Sequence, residues 1–216
     1  MVVYDYKFPT LAKKLFYHYN KNKLLNKLPD KCSFRIVNFT EVEYSNRINP
    51  IQKKYIGNLG AASETAATLL ESLQKGGDKN KGGGSEQFFQ NSAENFLAAI
   101  IYFMIRYENG KYSDMPHVLS FLVQPYTTIF DVLMTDEEIM PLLAPFKSAL
   151  DSKAMDQLEG MCGTLRVFAS RLATKEAFWV FSGDDFDLKV SDPENPSYLV
   201  IANDPEMEGV IGSLNA

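Results

Sequence analysis

Two cysteines, two histidines and a single tryptophan among 216 residues leave little material for several kinds of chemistry. Cys32 and Cys162 stand far apart and belong to no C-x-x-C or Cys/His cluster, so they read as reduced thiols rather than a disulfide scaffold. His18 and His117 lack H-E-x-x-H or similar spacing, which leaves no zinc signature. The longest apolar run, Phe96 to Ile105, is closed by Glu94 and Arg106 and falls far short of the roughly 18–20 residues a spanning helix needs. No basic-apolar-small leader opens the chain. There is no G-x-S-x-G elbow, and no G-x-x-x-x-G-K-[ST] loop that would cradle phosphates. Gly77 and Gly82 are followed by Gly83-Gly84 with no lysine in the required place, so the stretch Gly76–Gly84 reads as a mobile surface loop.

What is present is an ordinary globular composition, 45% hydrophobic and 23% charged, with an uneven charge distribution beneath its net −5. Residues 1–31 hold Lys7, Lys13, Lys14, Lys21, Lys23, Lys27 and Lys31 against Asp5 and Asp30, a balance of +5. The remainder carries 15 basic and 25 acidic residues. A basic edge of this kind can approach phosphates while the acidic body meets something else. No aromatic-interleaved pattern accompanies the lysines in the sequence, so a solvated helix face is the competing reading. The acids Asp184, Asp185, Asp187 and Asp192 lack the glycine and terminal glutamate of a calcium loop and read as turn formers.

Periodicity gives the organisation. Val2–Asp5 reads as a strand, a helix follows from about Thr10 to Asn22 with Leu11, Leu15, Phe16 and Tyr19 on its apolar face, and Ser33–Phe39 alternates as a second strand. From about Ala61 helices take over. One runs to Lys75, the longest from Ser85 to about Glu108 burying Phe88, Phe96, Ile100 and Phe103, two shorter ones are split by Pro125, one is kinked or interrupted by Pro141 and Pro145, and another spans Ser152–Leu172. Trp179, among apolar neighbours, reads as core or as a plug between domains. Phe186–Val190 alternates like a strand, and Tyr198–Ala202 suits a central strand covered on both faces. Asp204-Pro205-Glu206 then opens a helix, while Gly209–Ala216 stops without a cap. Both ends therefore read as cut from a longer chain, and the fold class expected is mainly α with a small α/β part: a helical bundle inserted between strands of an incomplete parallel sheet.

Three stretches carry a resemblance. The opening Val-Val-Tyr-Asp-Tyr-Lys-Phe-Pro-Thr-Leu resembles the strand-Asp-x-Lys segment that follows the Walker A helix in type IV secretion coupling ATPases of the TraG/TraD/TrwB kind. Gln87-Phe88-Phe89-Gln90-Asn91-Ser92-Ala93-Glu94-Asn95-Phe96-Leu97 is similar to the long helix of their all-α domain. Ser182-Gly183-Asp184-Asp185-Phe186 through Asp192-Pro193-Glu194-Asn195-Pro196-Ser197-Tyr198-Leu199-Val200-Ile201-Ala202-Asn203-Asp204-Pro205 resembles the return into their RecA-like motor domain, shortly before Walker B.

The resemblance implies residues 1–56 as a motor-domain flank, 57–182 as the all-α insertion and 183–216 as the return into the motor. It implies a parent that is a membrane-anchored, hexameric bacterial ATPase using ATP and Mg²⁺, with this segment on its cytoplasmic side. Such a parent brings relaxase-bound single-stranded DNA to a secretion channel, with relaxosome proteins as partners. The chain itself lacks Walker A and Walker B and is expected neither to hydrolyse ATP nor to hold a cofactor or metal. Candidate phosphate contacts are Lys13, Lys14, Lys21, Lys23 and Lys27. Asp5 and Lys7, matching the segment after Walker A, are candidates for the nucleotide side of the motor. Two alternatives stay open: a stand-alone small-molecule enzyme with an unrecognised site, and a structural oligomerisation domain.

Overall fold

In the computed structural model, residues 1–74 and 84–207 are described. Of the loop expected over Gly76–Gly84, residues 76–83 lie outside them and Gly84 is helical, which corrects the loop's end; Gly209–Ala216 also lies outside. The chain divides into two units. Met1–Asn49 joins Thr174–Ala216 in one, and Pro50–Ala173 forms the other. Residues 50–56 thus go with the helical unit and 174–182 with the sheet unit, whereas the sequence reading drew its lines at 56 and 182.

The sheet unit is built on three parallel strands, β1 (Val2–Asp5), β2 (Ser33–Val37) and β3 (Ser197–Ala202), in the order β1-β3-β2. The last strand in sequence lies between the first two. Its register sets Val2 opposite Leu199 and Asp5 opposite Ala202 on one side, and Ser33 opposite Ser197 and Val37 opposite Ile201 on the other. A continuous apolar run is what a central parallel strand requires, because both its faces are covered, and Leu199, Val200 and Ala202 are buried. Between β1 and β2 runs α1 (Thr10–Leu24).

Thr174 caps the short helix α8 (Lys175–Phe181), its hydroxyl oxygen accepting from the Ala177 N–H at 3.1 Å. Its buried face is Ala177, Val180 and Phe181, and Phe181 packs on Phe39 with ring centroids 5.2 Å apart. Trp179 falls on the other side and is 40% exposed, with the Arg47 guanidinium 5.9 Å from its ring. The expectation of a core tryptophan is corrected: apolar neighbours in sequence are not neighbours on a helix, where residues two apart point to different sides.

Phe186–Val190 is not a strand. Asp187 accepts the Lys189 N–H at 2.9 Å through its own carboxylate, and Val190 donates back to Leu188, so local turns satisfy groups that a ladder would need. Asp185, just before this segment, ties it to Arg47. It accepts from the Arg47 N–H at 2.8 Å and from the guanidinium at 3.1 Å. Gly183 is required beside this pair, since a Cβ there would stand 2.8 Å from the Arg47 Cβ. Burial pushes the Asp185 pKa up, but the Arg47 hydrogen bonds and charge outweigh it and hold the carboxyl below its ordinary value. A depressed native pKa contributes stability that is present above the unfolded value of about 3.9 and is lost as pH falls through the folded one. Asp185→Asn is therefore expected to flatten the acid limb of the stability profile below about pH 5, measured by urea titration at stepped pH. An unchanged acid limb would contradict this role.

The helical unit comprises α2 (Leu59–Gln74), α3 (Gly84–Arg106), α4 (Met115–Leu122), α5 (Tyr126–Leu133), α6 (Met140–Asp151) and α7 (Met155–Ser170). The long helix α3 is its axis and packs against α2, α6 and α7. Phe96 on α3 stacks on Phe130 of α5 at 5.3 Å and meets Phe146 of α6 at a tilt, 5.4 Å away, and all three are fully buried. Phe88, one helical stretch earlier, is 40% exposed, which corrects its expected burial. Asp114 and Pro116 start α4 as their types dictate, with the Asp114 carboxylate accepting from the His117 N–H at 2.9 Å. The helix expected from Thr135 starts as a 3₁₀ turn, Glu137–Ile139, and Pro141 sits in the first turn of α6, which continues through Pro145. Cys162 is buried on α7, and desolvation pushes its thiol up to about 12. No described helix is long and apolar enough to cross a membrane.

A candidate nucleic-acid interface on the first helix

Asp5 ends β1 and is 1% exposed. Its Oδ2 accepts from the Leu11 and Ala12 N–H groups at 2.9 and 2.8 Å, so this carboxylate caps α1 from a distance, Pro9 at the cap position offering no side-chain acceptor. Lys7 is exposed in the connecting turn. Asp5 is thus engaged in holding the helix against the sheet edge. Asp5→Ala is expected to cost about 1–2 kcal/mol by leaving the buried Ala12 N–H without its acceptor, read as a shift in the urea midpoint. A change below about 0.5 kcal/mol would contradict the cap.

Asn38 and Asn203, just beyond β2 and β3, are buried beside the same carboxyl edge of the sheet. The Asn38 carbonyl oxygen accepts from Thr40 and Glu41, and its amide nitrogen and both Asn203 side-chain heteroatoms lack a partner among the described residues.

Tyr19 and Ala12 are the buried positions of α1. The Tyr19 hydroxyl donates to the Cys32 carbonyl at 2.8 Å, and its ring meets Phe34 and Tyr198 at 5.5 and 5.8 Å. Leu11 and Phe16 are 42% and 50% exposed, so the apolar face expected of this helix is narrower than its composition suggests. Only a slim stripe lies on the sheet.

That geometry sorts the candidate lysines. Lys14 and Lys21, seven residues apart, project along one line of the exposed side, with Tyr17, 62% exposed, between them. Lys13 is exposed beside them. Lys23 turns back instead: its Nζ donates to the Tyr19 hydroxyl at 3.1 Å and lies 5.4 Å from that ring. Lys27 follows the helix end and is exposed. The five lysines are therefore not one face, and Lys13, Lys14 and Lys21 form the usable group.

Beside them lies a groove of about 570 Å³ lined by Phe8, Pro9, Ala12, Lys13, Phe16, Phe34, Ile36, Glu41, Tyr44 and Asn46. Phe34 and Ile36 reach it from one face of β2, and Tyr44 from the 3₁₀ turn Val42–Tyr44. The sequence reading missed this convergence. The one available signal was the alternation of Phe34 and Ile36, since the other rings are scattered over 36 positions between Phe8 and Tyr44. Lys13, Glu41 and Asn46 are the charged and amide groups of this groove, set among apolar and aromatic side chains.

No family model matches the chain, and no curated protein matches it. Among solved structures, the plasmid coupling protein TrwB in complex with the non-hydrolysable GTP analogue GDPNP is similar at 10% identity and a TM-score of 0.48, over 99% of this chain and 50% of that one. The unbound monoclinic form of the bacterial conjugative coupling protein TrwBdeltaN70 is similar at the same identity and TM-score, over 99% and 49%. The chain spans about half the length of these structures.

Proposed function

We propose that this chain is a recognition module of a conjugative-transfer coupling ATPase, meeting DNA through the lysine face of α1 while the helical unit meets relaxosome proteins. The reading starts from the three stretches that resemble that family. The observation that carries it is the topology: β1 and β3 come from opposite ends of the sequence yet pair directly as parallel neighbours, with the helical unit contained in the chain between them. That is the arrangement expected of a helical insertion into a parallel sheet. Strands completing separate sheets would have ended the reading.

On this reading the parent's ATP and Mg²⁺ are not the business of this chain's residues. There is no P-loop lysine, and the Asp5 carboxylate is engaged by two N–H groups of α1. The proposal therefore routes no phosphoryl-transfer step through Asp5 or Lys7. The function assigned to the chain is therefore to hold relaxase-bound single-stranded DNA for a motor whose catalytic parts lie elsewhere. The test is to measure phosphate release from ATP and DNA retention in one preparation at low salt, followed by pull-down with relaxosome proteins. Retention without turnover is expected. Measurable ATP hydrolysis by the pure chain, or failure to retain either partner, would overturn the proposal.

A further inference from the structure

We infer that the groove beside α1 is a stacking cradle for the unpaired bases of single-stranded DNA. This rests on the lysine-face reading above and adds the part of the ligand that lysines alone do not distinguish.

Four aromatic side chains line the groove, Phe8, Phe16, Phe34 and Tyr44, and two of them offer open surface: Phe16 is 50% exposed and Tyr44 61%. Phe16 is held by an edge contact on Phe34 at 5.2 Å, so its position is set from beneath by the sheet. Every base has an apolar, polarisable face, and stacking on such rings is tolerant of sequence. In a duplex those faces are already covered by neighbouring bases, so only an unpaired strand can use them.

Charge chooses the occupant and its orientation. Lys13 lies on one wall of the groove, with Lys14 beside it in sequence and Lys21 further along α1, and Glu41 lies among the other lining residues. Phosphates are drawn to the lysine side and repelled by Glu41, whose carboxylate can accept from exocyclic amino groups of bases. The backbone then tracks α1 while the bases turn inward toward Phe16 and Tyr44. The volume of about 570 Å³ falls within the roughly 300–1,000 Å³ of small-molecule sites, so it suits a short stretch of bases rather than a double helix.

The test uses the full chain and a labelled oligodeoxycytidylate about 15 nucleotides long, whose bases carry an exocyclic amino group, beside a duplex of equal length, at low salt with fluorescence anisotropy. Phe16→Ala with Tyr44→Ala is expected to weaken single-strand binding about tenfold or more, leave duplex binding within about twofold, and leave the salt slope unchanged. Phe16→Leu with Tyr44→Leu, which keeps apolar bulk without a π-face, is expected to do the same and guards against loss of folding. Unchanged single-strand affinity in both variants, or an equal loss for duplex, overturns the cradle. Lysine reversal separates the two ideas: if it removes binding while the aromatic variants do not, the cradle alone falls; if it leaves binding intact, the lysine-face reading falls with it.

Discussion

Reversing Lys13, Lys14, Lys21 and Lys23 to glutamate together is expected to weaken binding to single-stranded DNA at low salt by about a hundredfold or more, and to flatten its salt dependence. Each phosphate contact on a single strand contributes roughly −0.7 to the slope of log K against log salt. Lys13, Lys14 and Lys21 project freely from α1, whereas Lys23 is engaged by Tyr19. The structure therefore predicts that three contacts, not four, are lost, and that the slope falls by about 2. Lys14→Glu with Lys21→Glu should carry most of the loss, and Lys23→Glu alone little of it. Binding that persists unchanged in the fourfold variant would remove DNA contact from α1 altogether.

Phe96→Ala carries the largest stability effect. Phe96, Phe130 and Phe146 form one fully buried ring cluster joining α3, α5 and α6, so truncation removes one stacked and one tilted ring contact and leaves a cavity in the helical unit. Aromatic-to-alanine changes at such positions cost about 3–5 kcal/mol. Phe88→Ala on the same helix, where the ring is 40% exposed, should cost less than about 1 kcal/mol. Urea denaturation followed by far-ultraviolet circular dichroism compares the two. Equal losses would mean that α3 is not packed as described.

Much of the fold was legible because the strongest signals were local. The apolar run Tyr198–Ala202 became the central strand, and Pro125 separated α4 from α5. Failures came where a side chain's partner lay far along the chain or where local hydrogen bonds competed with a ladder. Asp187 turned an alternating segment away from strand, and the periodicity of α8, which buries Ala177, Val180 and Phe181, left Trp179 on the exposed side near Arg47. The lysines were visible as a charge excess, but periodicity alone could not show Lys23 returning to Tyr19. The aromatic groove was illegible for a related reason: Phe16 and Phe34 are 18 positions apart and meet only because α1 lies across β2's face.

Photo-cross-linking of the chain to a single strand carrying bromodeoxyuridine, with the attached peptides identified by mass spectrometry, tests the central claim most directly. The account predicts adducts on the peptides spanning α1 and the Val42–Tyr44 turn, with Phe16, Tyr17 and Tyr44 as the modified side chains and loss of yield as salt rises. Adducts confined to Pro50–Ala173, or a yield indifferent to salt, would contradict it.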